Sequence, residues 1–363
     1  MKNFIPFLST AILISFLFLA GVPYGYAMDK AVDSAKMKQT VVTTNPDEKI
    51  SSGKNIVYCS TFQLAWNELA GSIIKGDIHL VGETLLSGVL NKFRSIITKN
   101  DLSSKDYVAM AGYGKDKIVN RINAQLSKKF GKEAWTVKEK LNPDDILAFS
   151  FLMKNLAFKT QFDDNPTGMR FNSGSDVVKA FGILKFQGRS EKMAELSKQV
   201  DILYYNKEKK EFIVRLITEN QNEELILAAI EPDGNIYQTW KKAEKTAASV
   251  APAKLGPDDI LQIPEIDLFI DHSYKELIGK RVKNKGFGQY QIAKAQQVTK
   301  FKLDKTGAFL KSKAEILMVK GMANFESKKL IFNKPFLLYM KEKKGKNPYY
   351  MMWVDNPEVM VKN

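Results

Sequence analysis

Cysteine and histidine are nearly absent from this chain. Cys59, His79 and His272 are the only members of either class in 363 residues. A single cysteine excludes an intramolecular disulfide. Stability must then come from apolar burial, and 44% hydrophobic residues can supply it. Three Cys and His side chains scattered over two hundred positions do not make a metal site, whose ligands come at short spacings, so neither metal nor cofactor is expected. Nucleophilic catalysis is equally poorly served. Asp77 lies two positions from His79 and Asp271 adjoins His272, but no G-x-S-x-G elbow accompanies either pair. Both histidines read as structural or surface residues, and the chain is not expected to be an enzyme. Gly112-Tyr113-Gly114-Lys115 is glycine-rich without phosphate-loop spacing.

Negative charge is also in short supply: 40 Asp and Glu stand against 55 Lys and Arg, a net charge of +15. Such an excess fits an anionic surface, a polyanion or an acidic partner, or simply a lysine-rich solvated surface. Lys280, Arg281, Lys283 and Lys285 cluster before Gly286 and leave the same two readings open.

Long apolar runs are missing except at the start. Met1-Lys2 precedes an uncharged stretch over residues 3–27 whose apolar centre is residues 11–22, and Gly25-Tyr26-Ala27 offers small residues at its exit. One cation, a short apolar core and a small-residue exit predict a secretory signal cleaved after Ala27. No cysteine near the exit suggests a lipid anchor, and no later segment is apolar long enough to span a membrane. The mature chain is expected to be secreted or periplasmic, where nucleic acid is not an expected partner. Its net charge is one lower, because Lys2 leaves with the signal.

The remainder reads as helices early and strands late. Residues 28–54 are polar and aperiodic and predict a flexible leader. Residues 55–58 read as a short strand. Ser60 or Thr61 then caps a helix with Phe62, Trp66, Leu69 and Ile73 on one face. Residues 84–97 and 115–129 repeat the helical period, the latter through Ile118, Ile122 and Leu126. The run ILAFSFLMKNLAF at 146–158 is too uniformly apolar for an exposed face and predicts a central strand buried on both sides. Strand patterns follow at 177–186, 200–205, 211–217, 225–230, 260–270 and 291–304, with helices at 236–248 and 273–279. That order predicts an α+β fold with large mixed or antiparallel sheets, as one domain over residues 55–363.

The tail is distinctive. An alternating run ends in Asp304-Lys305-Thr306-Gly307, about two dozen residues follow without a helical period, and a hairpin closes the chain at 330–340 and 349–354. A segment this long between strands is usually functional or disordered. Within it Ala308, Leu310, Ser312, Ala314, Ile316 and Met318 form one alternate set, small or apolar. Phe309, Lys311, Lys313, Glu315, Leu317 and Val319 form the other, which starts charged. Strand geometry puts the two sets on opposite faces, a pattern suited to a half-buried strand.

In that order, with FNKPF at 332–336 and Asn356-Pro357, the tail resembles the end of a serpin: hinge, reactive-centre loop, buried hairpin. Earlier segments agree. NIVYCS at 55–60 resembles the family's NIFFSP, ILAFSFLMKNLAFKTQFD at 146–163 its NAIYFKGKWKTPFD, IEPD at 230–233 its LPDE, and LQIP at 261–264 its LHLPK. The chain is thus similar to a divergent, bacterial-type, secreted member of the serpin (serine protease inhibitor) family. The resemblance implies an exposed loop over 307–329, a hinge of Gly307, Ala308, Phe309 and Leu310, and a scissile bond near Gly321-Met322 within the window 320–325. It implies a suicide-substrate inhibitor of an extracellular or periplasmic serine or cysteine protease, trapped while the cut loop inserts as a strand, or a non-inhibitory binding or scaffold protein of the cell envelope. There are departures. Phe309, Leu310, Lys311 and Lys313 are bulky where inhibitors carry small residues, Phe158 replaces a Trp, Met352 replaces a Gly, and 115–145 is short for the family's helix, strand and helix.

Overall fold

The computed structural model describes residues 31–172, 174–184, 191–307 and 327–363. The expected signal lies outside the described residues, as do Ala308, Phe309, Leu310, Gly321, Met322 and the window 320–325.

Residues 31–54 depart from the expected flexible leader. Strands β1 (Val32–Asp33) and β2 (Thr40–Thr43) form there, and β2 runs parallel beside β3 (Asn55–Cys59). Thr-Val-Val-Thr is a β-branched run that suits a strand. Its polar neighbours are also pinned. The Glu358 carboxylate accepts from the Lys38 and Gln39 N–H groups at 2.8 and 2.9 Å, and Asn55 Nδ2 donates to Asn356 at 2.8 Å. Polar sequence here combines an exposed surface with long-range hydrogen bonds.

The early helices follow their apolar period. Helix α1 (Thr61–Glu68) continues as a wider turn over Leu69–Ile74. Helix α2 (Leu85–Phe93) starts at Thr84, whose hydroxyl accepts from Ser87 N at 3.1 Å. Strand β4 (Tyr107–Tyr113) leads into helix α3 (Ile118–Phe130), which buries Ile118, Ile122 and Leu126. Strand β5 (Ile146–Leu152) comes next. It corrects the expectation of a central strand buried on both sides: all seven of its residues are half-buried, and among the described residues it pairs only with β4. The run packs apolar side chains on both faces but buries none of them fully.

The second half is mostly sheet, with strands β6 (Asp163–Arg170) and β7 (Val177–Ile183), helix α4 (Glu191–Lys198), and strands β8 (Val200–Asn206), β9 (Glu211–Leu216) and β10 (Glu223–Ala229). Helix α5 (Ile236–Ala247) precedes β11 (Ala253–Lys254), β12 (Ile260–Pro264), β13 (Ile266–Ser273) and β14 (Gln296–Leu303), and β15 (Lys329–Ile331), β16 (Phe336–Glu342) and β17 (Tyr350–Val354) finish the chain. Two expected strands are each split between sheets. Residues 260–270 break after Pro264, and the hairpin's first arm breaks across Phe332–Pro335. In both places the chain leaves the four-stranded sheet β15-β12-β7-β6, once for the three-stranded sheet β1-β13-β14 and once for the eight-stranded sheet β11-β8-β9-β10-β16-β17-β3-β2. Residues 274–280 form turns rather than the expected helix.

The fold is α+β with mixed sheets. The hairpin β16-β17 lies inside the eight-stranded sheet and is covered on both faces, as continuous apolar strands require. Phe336, Leu338, Met352 and Val354 enter the main core. Leu337, Tyr339, Met351 and Trp353 pack with Trp240 and Ala243 of α5.

Candidate functional site

The site lies where β5 and β14 converge. After Leu152 the chain runs on to a bridge between Ala157 and Gly307, the residue that follows β14's closing turn. Phe158 N donates to Thr306 O at 3.1 Å and Phe162 N to Lys305 O at 3.0 Å. Both strands therefore run toward the same end. Beyond the bridge their ladders stop: among the described residues β5 has one neighbour, β4, and β14 has one, β13. Helix α1 packs on β4 and β5 and reaches β14. Two strands on one helix thus each present an unpaired edge, and an unpaired edge is a template for another strand.

Gly307, expected as a hinge, follows the turn that closes β14. Its N–H donates to Asp304 O at 3.1 Å, closing a turn that reverses the chain. The turn is held electrostatically. Burial alone would raise the Asp304 carboxyl, but Lys302 at 2.7 Å and the Thr306 hydroxyl and N–H outweigh it and hold it below the ordinary range. With φ at +69°, Gly307 occupies the left-handed region, and a Cβ there would meet Leu156 O at 2.4 Å and Phe158 N at 2.6 Å. Gly307→Ala should therefore cost ~2–4 kcal/mol, from lost conformational freedom plus overpacking. Gly234→Ala, with φ +66° and open space, should cost only ~1 kcal/mol. Urea denaturation of both variants checks the difference, and equal losses would remove the close approach as the reason for this glycine.

Phe158, where the resembled family has Trp, is buried against Phe162, ring centroids 4.9 Å apart, and Phe162 in turn meets Phe181 at 5.9 Å.

One group went unread in the sequence. Lys154, just beyond β5, is 5% exposed, and its Nζ lies 2.7 Å from Asp106, 2.5 Å from Glu223 and 2.5 Å from Glu342. The Tyr349 hydroxyl donates to Glu223 at 2.9 Å. Burial would lower the Lys154 ammonium, but three carboxylates outweigh that and raise it, whereas burial pushes Glu223 up and its partners only partly offset the effect. The three carboxylates could hold a cation, and the ammonium already serves as one. The cluster ties the end of β5 to β10 and β16. Its only local signal is a lone Lys inside an apolar run.

The histidines assemble no triad. His272 Nδ1 shares a 2.7 Å hydrogen bond with Ser34, and burial lowers its pKa. Asp271 instead accepts from Gln296 at 2.6 Å. His79 is exposed beside Glu83 at 3.2 Å.

With this geometry in place, the solved structures that resemble the chain include a serpin and thyroxine-binding globulin. Serpin48 of the insect Tenebrio molitor is 12% identical, with 84% of this chain and 92% of that one covered and a TM-score of 0.46. Thyroxine-binding globulin in complex with thyroxine is 11% identical, with 86% and 94% covered and a TM-score of 0.47. Human thyroxine-binding globulin complexed with thyroxine gives 11%, 84%, 92% and 0.46. Likeness at this level carries nothing about activity. No profile of a known family matches the chain, and no curated protein matches it in sequence. Among the described residues no helix is long and apolar enough to cross a membrane.

Proposed function

We propose that the chain is an exported, serpin-like suicide-substrate inhibitor of a serine or cysteine protease, in which a cut within 320–325 frees residues 308–319 to insert beside β5. One observation carries this reading: the bridge between Ala157 and Gly307 is antiparallel. A segment continuing from Gly307 in that register would run back along β5. Continuing that register sets Ser312 opposite Leu152, Ala314 opposite Ser150 and Met318 opposite Ile146.

Directly paired residues share a face. Leu152 packs on the main core, whereas Leu147, Phe149 and Phe151 pack with α3. In this register the small and apolar set, Ala308 through Met318, faces the core. Lys311, Lys313 and Glu315 fall on the α3 side, where their charges can reach water. The alternation of the tail matches the register of the bridge.

The bulky residues after Gly307 set a kinetic demand. Ordering each long side chain costs ~0.5–2 kcal/mol, which slows a step that must outrun hydrolysis of the acyl-enzyme. The test is incubation with trypsin-, elastase- and chymotrypsin-like proteases, for which Lys320, Met322 and Phe325 are suitable residues. An SDS-stable complex with one of them is expected. Cleavage by all three without a complex would favour the non-inhibitory binding or scaffold role.

A further inference from the structure

We infer that the ribbon formed by residues 79–85 and 278–285 is a docking surface for an anionic lipid bilayer. Leu80 and Val282 form a bridge, Val81 N donates to Arg281 O at 2.8 Å, and Lys283 N donates to His79 O at 2.7 Å. Leu80 and Val282 point into a small core with Leu86, Tyr274 and Leu277. Alternation then turns Val81, Arg281 and Lys283 outward. Three aliphatic side chains stand exposed along this ribbon: Val81 at 49%, Leu85 at 85% and Ile278 at 40%.

The charge beside them is positive in excess. Lys280, Arg281, Lys283 and Lys285 enter no ion pair among the described residues. Of the nearby acids, Asp77 is paired with Arg94 Nε at 2.9 Å, whereas Glu83, hydrogen-bonded to His79 at 3.2 Å, and the exposed Glu276 at the margin offset part of the positive charge. Single exposed apolar residues need no explanation. Three of them set among four unpaired cations match the makeup of an interfacial lipid contact, in which aliphatic groups enter the headgroup boundary and cations meet phosphates. A soluble polyanion would use the cations and gain nothing from Leu85, which is why the surface is assigned to lipid.

The exported protein, and variants purified the same way, would be floated with vesicles of phosphatidylcholine alone or mixed equally with phosphatidylglycerol, and run on heparin. Binding to the mixed vesicles only is expected, falling as salt rises. Lys283→Glu with Lys285→Glu should lower partition at least about 25-fold, since each basic residue is worth about fivefold near such a surface. Leu85→Ser should lower it about tenfold and leave heparin elution unchanged; Leu85 is so exposed that its melting point should not move. Equal binding to neutral vesicles would overturn the proposal. So would an unchanged Leu85→Ser partition, or retention on heparin without any flotation, which would assign the ribbon to a polyanion.

Discussion

Cutting the purified protein within residues 320–325 should raise its melting midpoint by about 10 °C or more. The uncut chain leaves one edge each of β5 and β14 unpaired among the described residues, and all seven β5 residues half-buried. A strand entering beside β5 pairs backbone groups that otherwise depend on water and covers Ile146, Ala148 and Leu152. Leu310, Ile316 and Met318 would each add ~1.5–3 kcal/mol of apolar burial. The conformational entropy of ordering the segment opposes this, and the expected result requires that apolar burial and the new ladder hydrogen bonds together exceed it. A net ~5 kcal/mol is enough, because even large domains shift by ~2 °C per kcal/mol. The measurement is calorimetry on intact and cut protein, with cleavage mapped by mass. An unchanged or lowered midpoint would show that the cut segment does not insert, and the inhibitory mechanism would fall with it. The result does not depend on knowing the target protease, nor does the lipid assignment depend on it.

How much of this was legible in the sequence varied with the range of the interaction involved. Helix α5 and the hairpin β8-β9 were legible because both express a local period and are bounded by turn residues. The inner hairpin was legible from its continuous apolar runs. The breaks at Pro264 and at Phe332–Pro335 were not, because which sheet a strand joins is decided by partners far away in the chain: Leu261 by Ile183, Leu268 by Phe301. Strand β6 carries Pro166 and Gly168 and has no strand pattern. It exists because β7 templates it, with an irregularity between Asn165 and Met169. At the site, Gly307 stood out because a turn and an alternating run both met there. The acids around Lys154 are drawn from β10, β16 and the loop before β4, and no spacing rule connects such positions.

That buried cluster carries the second large effect. Lys154→Met should destabilise the protein by ~3–5 kcal/mol at about pH 7.5, the usual cost of removing one partner from a buried ionic group. Met fills much of the volume of the Lys stem, so the loss is mainly electrostatic: Glu223, 1% exposed, and Glu342, 13% exposed, would face each other without the ammonium. The sign of the pH dependence follows. In the parent protein Lys154 sits above its ordinary value of 10.5, so its contribution is complete at neutral pH and is lost only in strong alkali, as pH rises through the raised value. In the variant, carboxylates without their counter-charge bind protons more tightly folded than unfolded. Stability then falls as pH rises through and above the carboxylate range, and the deficit should shrink at about pH 5, where the pair can share a proton. Urea titrations of both proteins at the two pH values test this. A deficit below ~1 kcal/mol would mean the charges are hydrated and the cluster contributes little, and one that did not vary with pH would mean that packing, not charge, holds the end of β5 against β10 and β16.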